Sequence, residues 1–303
     1  MRHHRVVKLH LLDATYELFR AHFGRPPRRA PDGRLVSATI GLVETTLSLL
    51  REPGVTHLGA ASDHVIRSFR NRLYAGYKTE AGMPPELLDQ FDLAEDALRA
   101  AGVVVWPMIE YEADDAMATA AARWVADPEV EQVVICSPDK DLAQCVTDGR
   151  VVQLDRRKGI VFDEGGVRER FGVSPASIPD YLALVGDASD GFPGLPGWGR
   201  VSASVVLARF EHLEGVPAKA SEWGLPISGA VRLAATLRER WDEALLYREL
   251  ARLRLDVPLT ESLEDLRWRG ARREPFAALC EQLGAPDLLA RPHRWHDRPA
   301  GTV

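Results

Sequence analysis

Cysteine is scarce, and Cys and His show no metal-type spacing. The 303 residues include three cysteines, Cys136, Cys145 and Cys280. An odd number at unrelated spacings excludes a disulfide framework and reads as reduced thiols of a cytoplasmic protein. Cys136 sits in an apolar run and reads as a small core residue. No apolar run reaches about 18 residues, so no membrane span is expected. The start, Met1 to Lys8, is basic. The apolar stretch after it is too short for a secretory signal: Lys8 and His10 interrupt it and Asp13 ends it. Positive charge is not in excess either. A net charge of −6 argues mildly against nucleic-acid binding, which favours basic domains. Acids gathered in one pocket would nevertheless leave the remaining surface closer to neutral. No internal repeat or low-complexity tract is present.

Hydrophobic residues make up 46% of the chain, enough to pack one large or two small domains. Buried strands are expected over 6–12, 57–62, 103–106 with a turn at Pro107, and 132–137. Residues 151–154 and 160–162, joined through Arg156-Arg157-Lys158-Gly159, read as a β-hairpin. Helical periodicity covers 35–50 and 85–101. This alternation predicts an α/β fold with a mostly parallel sheet. From Ser174 the character changes. A helix is expected over 180–185, then a Gly/Pro-rich stretch over 186–199, then helices with Trp223, Val231, Leu233, Leu237, Trp241 and Leu250 as core. The arginines between 238 and 273 are mixed with acids and read as a salt-bridged solvent face. The tail from Pro292 is expected to fray.

Acid is densest at Glu110-Tyr111-Glu112-Ala113-Asp114-Asp115, between a strand and an Ala-rich helix. Acid in a first helical turn is ordinary, because it complements the helix dipole. Glu112, Asp114 and Asp115 together repel unless a cation lies between them. Asp13, Asp63 and the Asp139/Asp141 pair also lie at or just beyond the ends of expected strands. Each alone reads equally as a turn or cap residue. Together they present acid along the sheet edge where open α/β folds bind ligands. Oxygen donors without His or Cys favour Mg²⁺ or Mn²⁺ over zinc. Residues 64–82 interleave Arg67, Arg70, Arg72 and Lys78 with Phe69, Tyr74 and Tyr77. Gly194, Gly197 and Gly199 would let backbone amides approach a phosphate, or form a plain interhelical turn. No Gly-Lys-Ser/Thr follows them, so this is not a P-loop.

Five motifs occur in one order: Leu11-Leu12-Asp13; Ser68-Phe69-Arg70 with Tyr77-Lys78; Tyr111-Glu112-Ala113-Asp114-Asp115; Asp139-Lys140-Asp141-Leu142; and Gly186-Asp187 with Asp190, Pro193-Gly194, Gly197 and Gly199. Over about 6–258 the chain resembles the 5′-nuclease (flap endonuclease) family, which includes the N-terminal nuclease domain of bacterial DNA polymerase I. The resemblance implies a PIN-like catalytic domain over 1–172 with a helical arch at about 64–101. It also implies a helix-three-turn-helix and C-terminal helical region over 173–303. No polymerase domain follows, so a stand-alone member is expected. Two divalent ions, Mg²⁺ or Mn²⁺, are implied. Asp13, Asp63, Glu112 and Asp114 would surround one, and Asp114, Asp139, Asp141 and Asp190 the other, with Asp115 and Asp187 in the outer shell. Arg70 and Lys78 would contact the scissile phosphate. Tyr74 and Tyr77 would stack on an unpaired base or pack in the core. Gly194, Gly197 and Gly199 would grip duplex phosphates without reading sequence, with Arg67 and Arg200 as further DNA contacts and K⁺ at the turn.

The chain departs from the family pattern at three places. Thr79-Glu80-Ala81-Gly82 stand where another basic residue is usual, Gly191 stands where Asn is common, and Arg200-Val201-Ser202 replace Lys and Thr. The expected activity is a structure-specific 5′-3′ exonuclease or flap endonuclease that leaves 5′-phosphates during replication and repair. Its expected partners are DNA with a 5′ flap, nick or 5′ end, RNA-primed ends included, and a DNA polymerase, with the chain itself a monomer. A PIN-like ribonuclease and a DNA-binding protein without activity are the alternatives. The glycine turn fits duplex better than single-stranded RNA, and no expected acid is missing. A haloacid-type phosphatase fits poorly, because Ala14 and Thr15 follow Asp13 without the second Asp such sites need.

Overall fold

The computed structural model describes residues 7–296. The basic start up to residue 6 and the tail from residue 297 lie outside the described residues. The apolar runs pair as one six-stranded sheet in the order β3-β2-β1-β4-β5-β6. Its strands are β1 (Val7–Asp13), β2 (His57–Asp63), β3 (Val104–Met108), β4 (Val130–Cys136), β5 (Val151–Asp155) and β6 (Ile160–Phe162). Neighbours are parallel except the β5–β6 hairpin. A PIN-like, mostly parallel sheet flanked by helices is what this amounts to. Pro107 does not turn the chain: β3 continues through it to Met108. The reason is position, since β3 is an edge strand, where a missing N–H disrupts least.

The helices are α1 (Ala14–Gly24), α2 (Ser37–Leu49), α3 (Arg70–Leu73), α4 (Pro85–Leu88), α5 (Phe91–Ala100), α6 (Ala113–Val125), α7 (Glu164–Phe171), α8 (Ile178–Val185), α9 (Arg200–Phe210), α10 (Ala230–Glu239), α11 (Trp241–Ala251) and α12 (Arg273–Gln282). One sheet face is covered by α1, α2, α5 and α12 around Leu12, Leu42, Leu58 and Val134. The other is covered by α6 and the extended chain after α11, around Leu9, Leu11, Ile135, Leu253 and Leu266. Alanines at 116, 118, 120 and 121 are all buried, so α6 lies close on the sheet. A separate cluster, with Phe192, Trp223 and Leu250, binds α8, α9 and α11 together.

Further expectations are corrected. The helix expected over 85–101 breaks at Gln90. That side chain turns inward, where Oε1 accepts from Thr39 N at 3.1 Å and Thr39 Oγ1 at 3.2 Å. The stretch read as an arch is therefore two single helical turns, α3 and α4, followed by α5 in the core. Val231 is 79% exposed rather than core, because it lies on the outer face of α10. The described part of the tail is held rather than frayed: Trp295–His296 (β8) pairs with Ala271–Arg272 (β7), and the Trp295 ring packs 5.9 Å from Phe276.

Chain after α11 thus returns to the sheet. Trp268 is 6% exposed. Its indole N–H donates to Ala101 O, and its backbone N–H to Thr56 O, both at 2.9 Å. Trp268→Ala is expected to cost about 3–5 kcal/mol, as large-to-small core changes do, read from the urea midpoint at unchanged slope.

Candidate metal centre and nucleic-acid interface

Parallel pairing brings the carboxyl ends of β1, β2, β3 and β4 to one edge, and acid follows each of them. Asp13 ends β1 and caps α1. Its Oδ1 accepts from Tyr16 N and its Oδ2 from Ser137 Oγ, both at 2.8 Å. Asp63 ends β2; its Oδ1 accepts from Ala113 N at 2.8 Å. Thr15 Oγ1 accepts from the Asp63 backbone N–H, also at 2.8 Å. Glu112 caps α6. Its Oε1 accepts from Ser68 Oγ at 2.6 Å, and its Oε2 lies 2.7 Å from Lys78 Nζ. Asp139 and Asp141 follow β4, with Asp139 Oδ1 accepting from Asp141 N at 3.1 Å. Asp187 and Asp190 come from the turn after α8. One oxygen each from Asp141, Asp187 and Asp190 lies within 4.8 Å of the others. Asp141 Oδ1 is buried and meets no donor among the described residues.

The charges respond as a crowded set must. Burial, with Asp63 and Asp139 nearby, pushes Asp13 up to about 7. Burial, with Glu112 nearby, pushes Asp63 up to about 6. Asp114 is held well above the ordinary carboxylate range, by burial first and then by Asp139, Asp13 and Asp141. Asp141 and Asp190 are raised for the same reasons. Glu112 goes the other way, down to about 2. Burial opposes this, but Lys78 and Arg70 outweigh it. Asp187 is also lowered, against burial, by Lys140 and Ser189. An oxygen-only donor set, short of positive charge and holding an unpartnered buried carboxylate oxygen, fits hard divalent cations.

Beyond the acids the chain makes a compact turn between α8 and α9. Gly186 and Gly194 both have positive φ and cross closely. A Cβ on Gly194 would lie 2.4 Å from Gly186 N, so neither tolerates a side chain. Gly199 caps α9, its N–H donating to Ser202 Oγ at 3.0 Å. Gly197, Gly199 and Arg200 are exposed at the start of that helix.

A 5′-3′ exonuclease N-terminal, resolvase-like domain model matches residues 8–172, and a 5′-3′ exonuclease C-terminal SAM-fold model matches 173–274. The chain belongs to the 5′-3′ exonuclease family. DNA polymerase I of Bacillus caldotenax is 35% identical over 289 residues, covering 94% of this chain and 32% of that protein. The chain thus spans about a third of the curated relatives it matches. The T5 D15 protein, co-crystallised with metal ions, shares the fold with a TM-score of 0.63 at 19% identity, over 80% of this chain and 88% of that one. The catalytic core of Rad2 in complex with DNA substrate does so with a TM-score of 0.60 at 15% identity, over 96% and 92%.

Several residues of this family member stand elsewhere than their motifs suggest. Arg70 is 1% exposed and cannot reach a phosphate. It grips Asp115 through Nη1–Oδ2 at 2.7 Å and Nη2–Oδ1 at 2.8 Å, and donates to Leu250 O at 2.8 Å and Arg252 O at 3.0 Å. Asp115 also accepts from Glu112 N and Arg254 N, so each of its oxygens takes two hydrogen bonds from the chain. Tyr77 is 3% exposed, with its hydroxyl donating to Glu112 Oε2 at 3.3 Å. It supports the acid rather than stacking on a base. Tyr74 packs 5.9 Å from Tyr247. Arg67 is paired with Glu80 at 3.0 Å, so an acid of the stretch that lacks the usual basic residue offsets the charge of an expected DNA contact. Lys78 does reach the cluster, joining Glu112 to Asp190 Oδ1 at 3.0 Å. Gly191 has a φ of +86, and a Cβ there would lie 2.2 Å from Gly76 O. Glycine is thus what lets the turn dock on the Lys78 loop. Ser68 and Ser137, whose hydroxyls donate to Glu112 and Asp13, have no role legible in the sequence, because a single hydroxyl carries no spacing signal.

Replacing Arg70 by Met leaves Asp115 buried and unpaired. A loss of about 3–5 kcal/mol in urea unfolding is expected, with Arg70→Lys intermediate because an ammonium cannot make the fork. The carboxyl shifts also set a pH dependence. Asp13 and Asp63 hold protons more tightly folded than unfolded, where carboxyls titrate near about 4. Their effect favours the folded state below that pH, and it is lost as pH rises through about 6 and 7. Glu112 has the opposite sign, losing its contribution as pH falls toward about 2. In EDTA, melting temperature should therefore fall between about pH 5 and 7.5. Mg²⁺ should reverse that fall, binding more tightly as protons leave.

Proposed function

We propose that the chain is a divalent-metal-dependent 5′ nuclease that hydrolyses DNA phosphodiesters at 5′ flaps, nicks or 5′ ends and leaves 5′-phosphates. The observation that carries this reading is the close approach of Asp141, Asp187 and Asp190, with Asp141 Oδ1 buried and meeting no donor among the described residues, beside the half-buried Asp114. Its carboxyl is raised by burial first and then by Asp139, Asp13 and Asp141. Such a group is stable as an anion only beside cations. Asp13, Asp63, Glu112 and Asp114 would hold one ion, and Asp114, Asp139, Asp141 and Asp190 the other. Bound there, two such ions supply a hydroxide at neutral pH and offset charge on the leaving oxygen.

The rest falls to the chain itself. Lys78, 26% exposed along its side chain, offers an ammonium beside the acids for the scissile phosphate. Ser68, Tyr77 and Ser137 fix carboxylate orientation through their hydroxyls. The amides of 194–199 and the start of α9 hold duplex phosphates without reading sequence. Mg²⁺ as the resident ion, K⁺ at this turn, RNA-primed ends, cooperation with a DNA polymerase and a cytoplasmic monomer belong to the same reading. Among the described residues no helix is long and apolar enough to cross a membrane.

The test is cleavage of a labelled 5′-flap duplex with Mg²⁺ or Mn²⁺. Cutting near the junction is expected, abolished by EDTA and reduced by at least about 10²–10³-fold in Asp114→Asn. Duplex that is bound yet intact with either metal would leave a DNA-binding protein. Degradation of single-stranded RNA instead of flap would favour a ribonuclease.

A further inference from the structure

Lys140, between two acids of the Asp139-Lys140-Asp141 motif, has no part in the reading so far. Its Nζ lies 2.6 Å from Asp187 Oδ2, and its side chain is 30% exposed. The other oxygen, Asp187 Oδ1, accepts from Ser189 N at 2.9 Å and Ser189 Oγ at 2.8 Å. Both oxygens of Asp187 are therefore engaged by the chain. The two acids grouped with it differ. Asp190 shares one oxygen with Lys78, and Asp141 keeps a buried oxygen that meets no donor among the described residues. A cation arriving among Asp141, Asp187 and Asp190 finds one acid open, one shared and one already occupied by an ammonium.

We propose that Lys140 is a positioning residue that serves as a built-in counter-cation. It ties Asp187 back and weakens divalent-ion binding at the Asp141–Asp187–Asp190 group until a phosphate oxygen draws its ammonium away. This rests on the metal-dependent reading above. Three carboxylates so close need positive charge, and Lys140 supplies part of it through Asp187. The same charge repels an incoming ion at short range, where salt screens little. The flexible four-carbon stem and partial exposure let the ammonium swing toward a substrate phosphate without moving the backbone. Ion entry and substrate entry then favour each other, since each releases what holds the other back.

The experiment is Mn²⁺ binding by the full chain without DNA, followed by calorimetry and by the electron paramagnetic resonance of free Mn²⁺. Lys140→Met should tighten the weaker Mn²⁺ by about tenfold or more, whereas Lys140→Arg, which keeps the charge, should stay near wild type. The gain should vanish when Asp187→Asn is added, because the two residues act through one contact. A 5′-phosphorylated duplex should tighten Mn²⁺ binding in wild type and change Lys140→Met little. Unchanged or weaker Mn²⁺ binding in Lys140→Met would overturn the proposal, as would an equal gain in the Asp187→Asn background. A wild-type chain that binds no Mn²⁺ would overturn the metal-dependent reading as well. Normal binding unaffected by Lys140→Met would overturn this inference alone.

Discussion

Mutual repulsion among carboxylates at one sheet edge is the constraint from which the rest of this structure follows. A parallel sheet delivers strand ends to one side, and here those ends carry acid. Without compensation the cluster would push itself apart or take up protons, and the raised carboxyls of Asp13, Asp63 and Asp114 show that tendency. The chain answers with three internal cations. Arg70 neutralises Asp115, Lys78 bridges Glu112 and Asp190, and Lys140 holds Asp187. Their differing burial separates their tasks. Arg70 is sealed in and acts as part of the scaffold. The two lysines are partly exposed, and lysine is the more mobile partner.

Arg70 also explains how the helical region is fixed to the sheet. Its guanidinium reaches the carbonyls at the end of α11, while Asp115 receives the backbone N–H of Arg254. One buried ion pair therefore joins the N-terminus of α6 to the segment that returns from the helices to the sheet. Breaking either partner strands a charge without solvent, which is why such pairs are costly to disrupt even when their net stabilisation is modest.

Much of this was legible in the sequence, and the limits are physical. The parallel sheet, the hairpin and the edge occupied by Asp13, Asp63, Glu112 and Asp139 followed from apolar runs that each end in acid. Pro107 was misread because proline forbids a central strand but not an edge one, and edge position is a tertiary fact. Periodicity carries a helix over 85–101 through Gln90, because it cannot register a side chain that turns inward to bond Thr39. Arg70 and Asp115 looked like site residues by motif, yet they satisfy each other. That partnership spans 45 positions and involves carbonyls from 250 and 252, which no local pattern reveals. Lys140 has no role legible in its motif, because its partner Asp187 comes from the distant turn after α8.

The acids divide between two bodies of structure. Asp13, Asp63, Glu112, Asp114, Asp139 and Asp141 ride on or just beyond the sheet. Asp187 and Asp190 belong to the turn that leads into the glycines at 194–199. The second half of the cluster therefore exists only when that turn is docked. Docking depends on close backbone approach: Lys78 N donates to Asp190 O at 2.9 Å, and Gly191 leaves room for Gly76. A duplex held by its phosphates at this turn would lie at a fixed distance from the carboxylates, set by a few residues of rigid chain. On the proposed reading, the distance from gripped phosphate to cut phosphate would then be set by backbone geometry. On that reading, selectivity arising this way would follow where duplex ends and not which bases it contains.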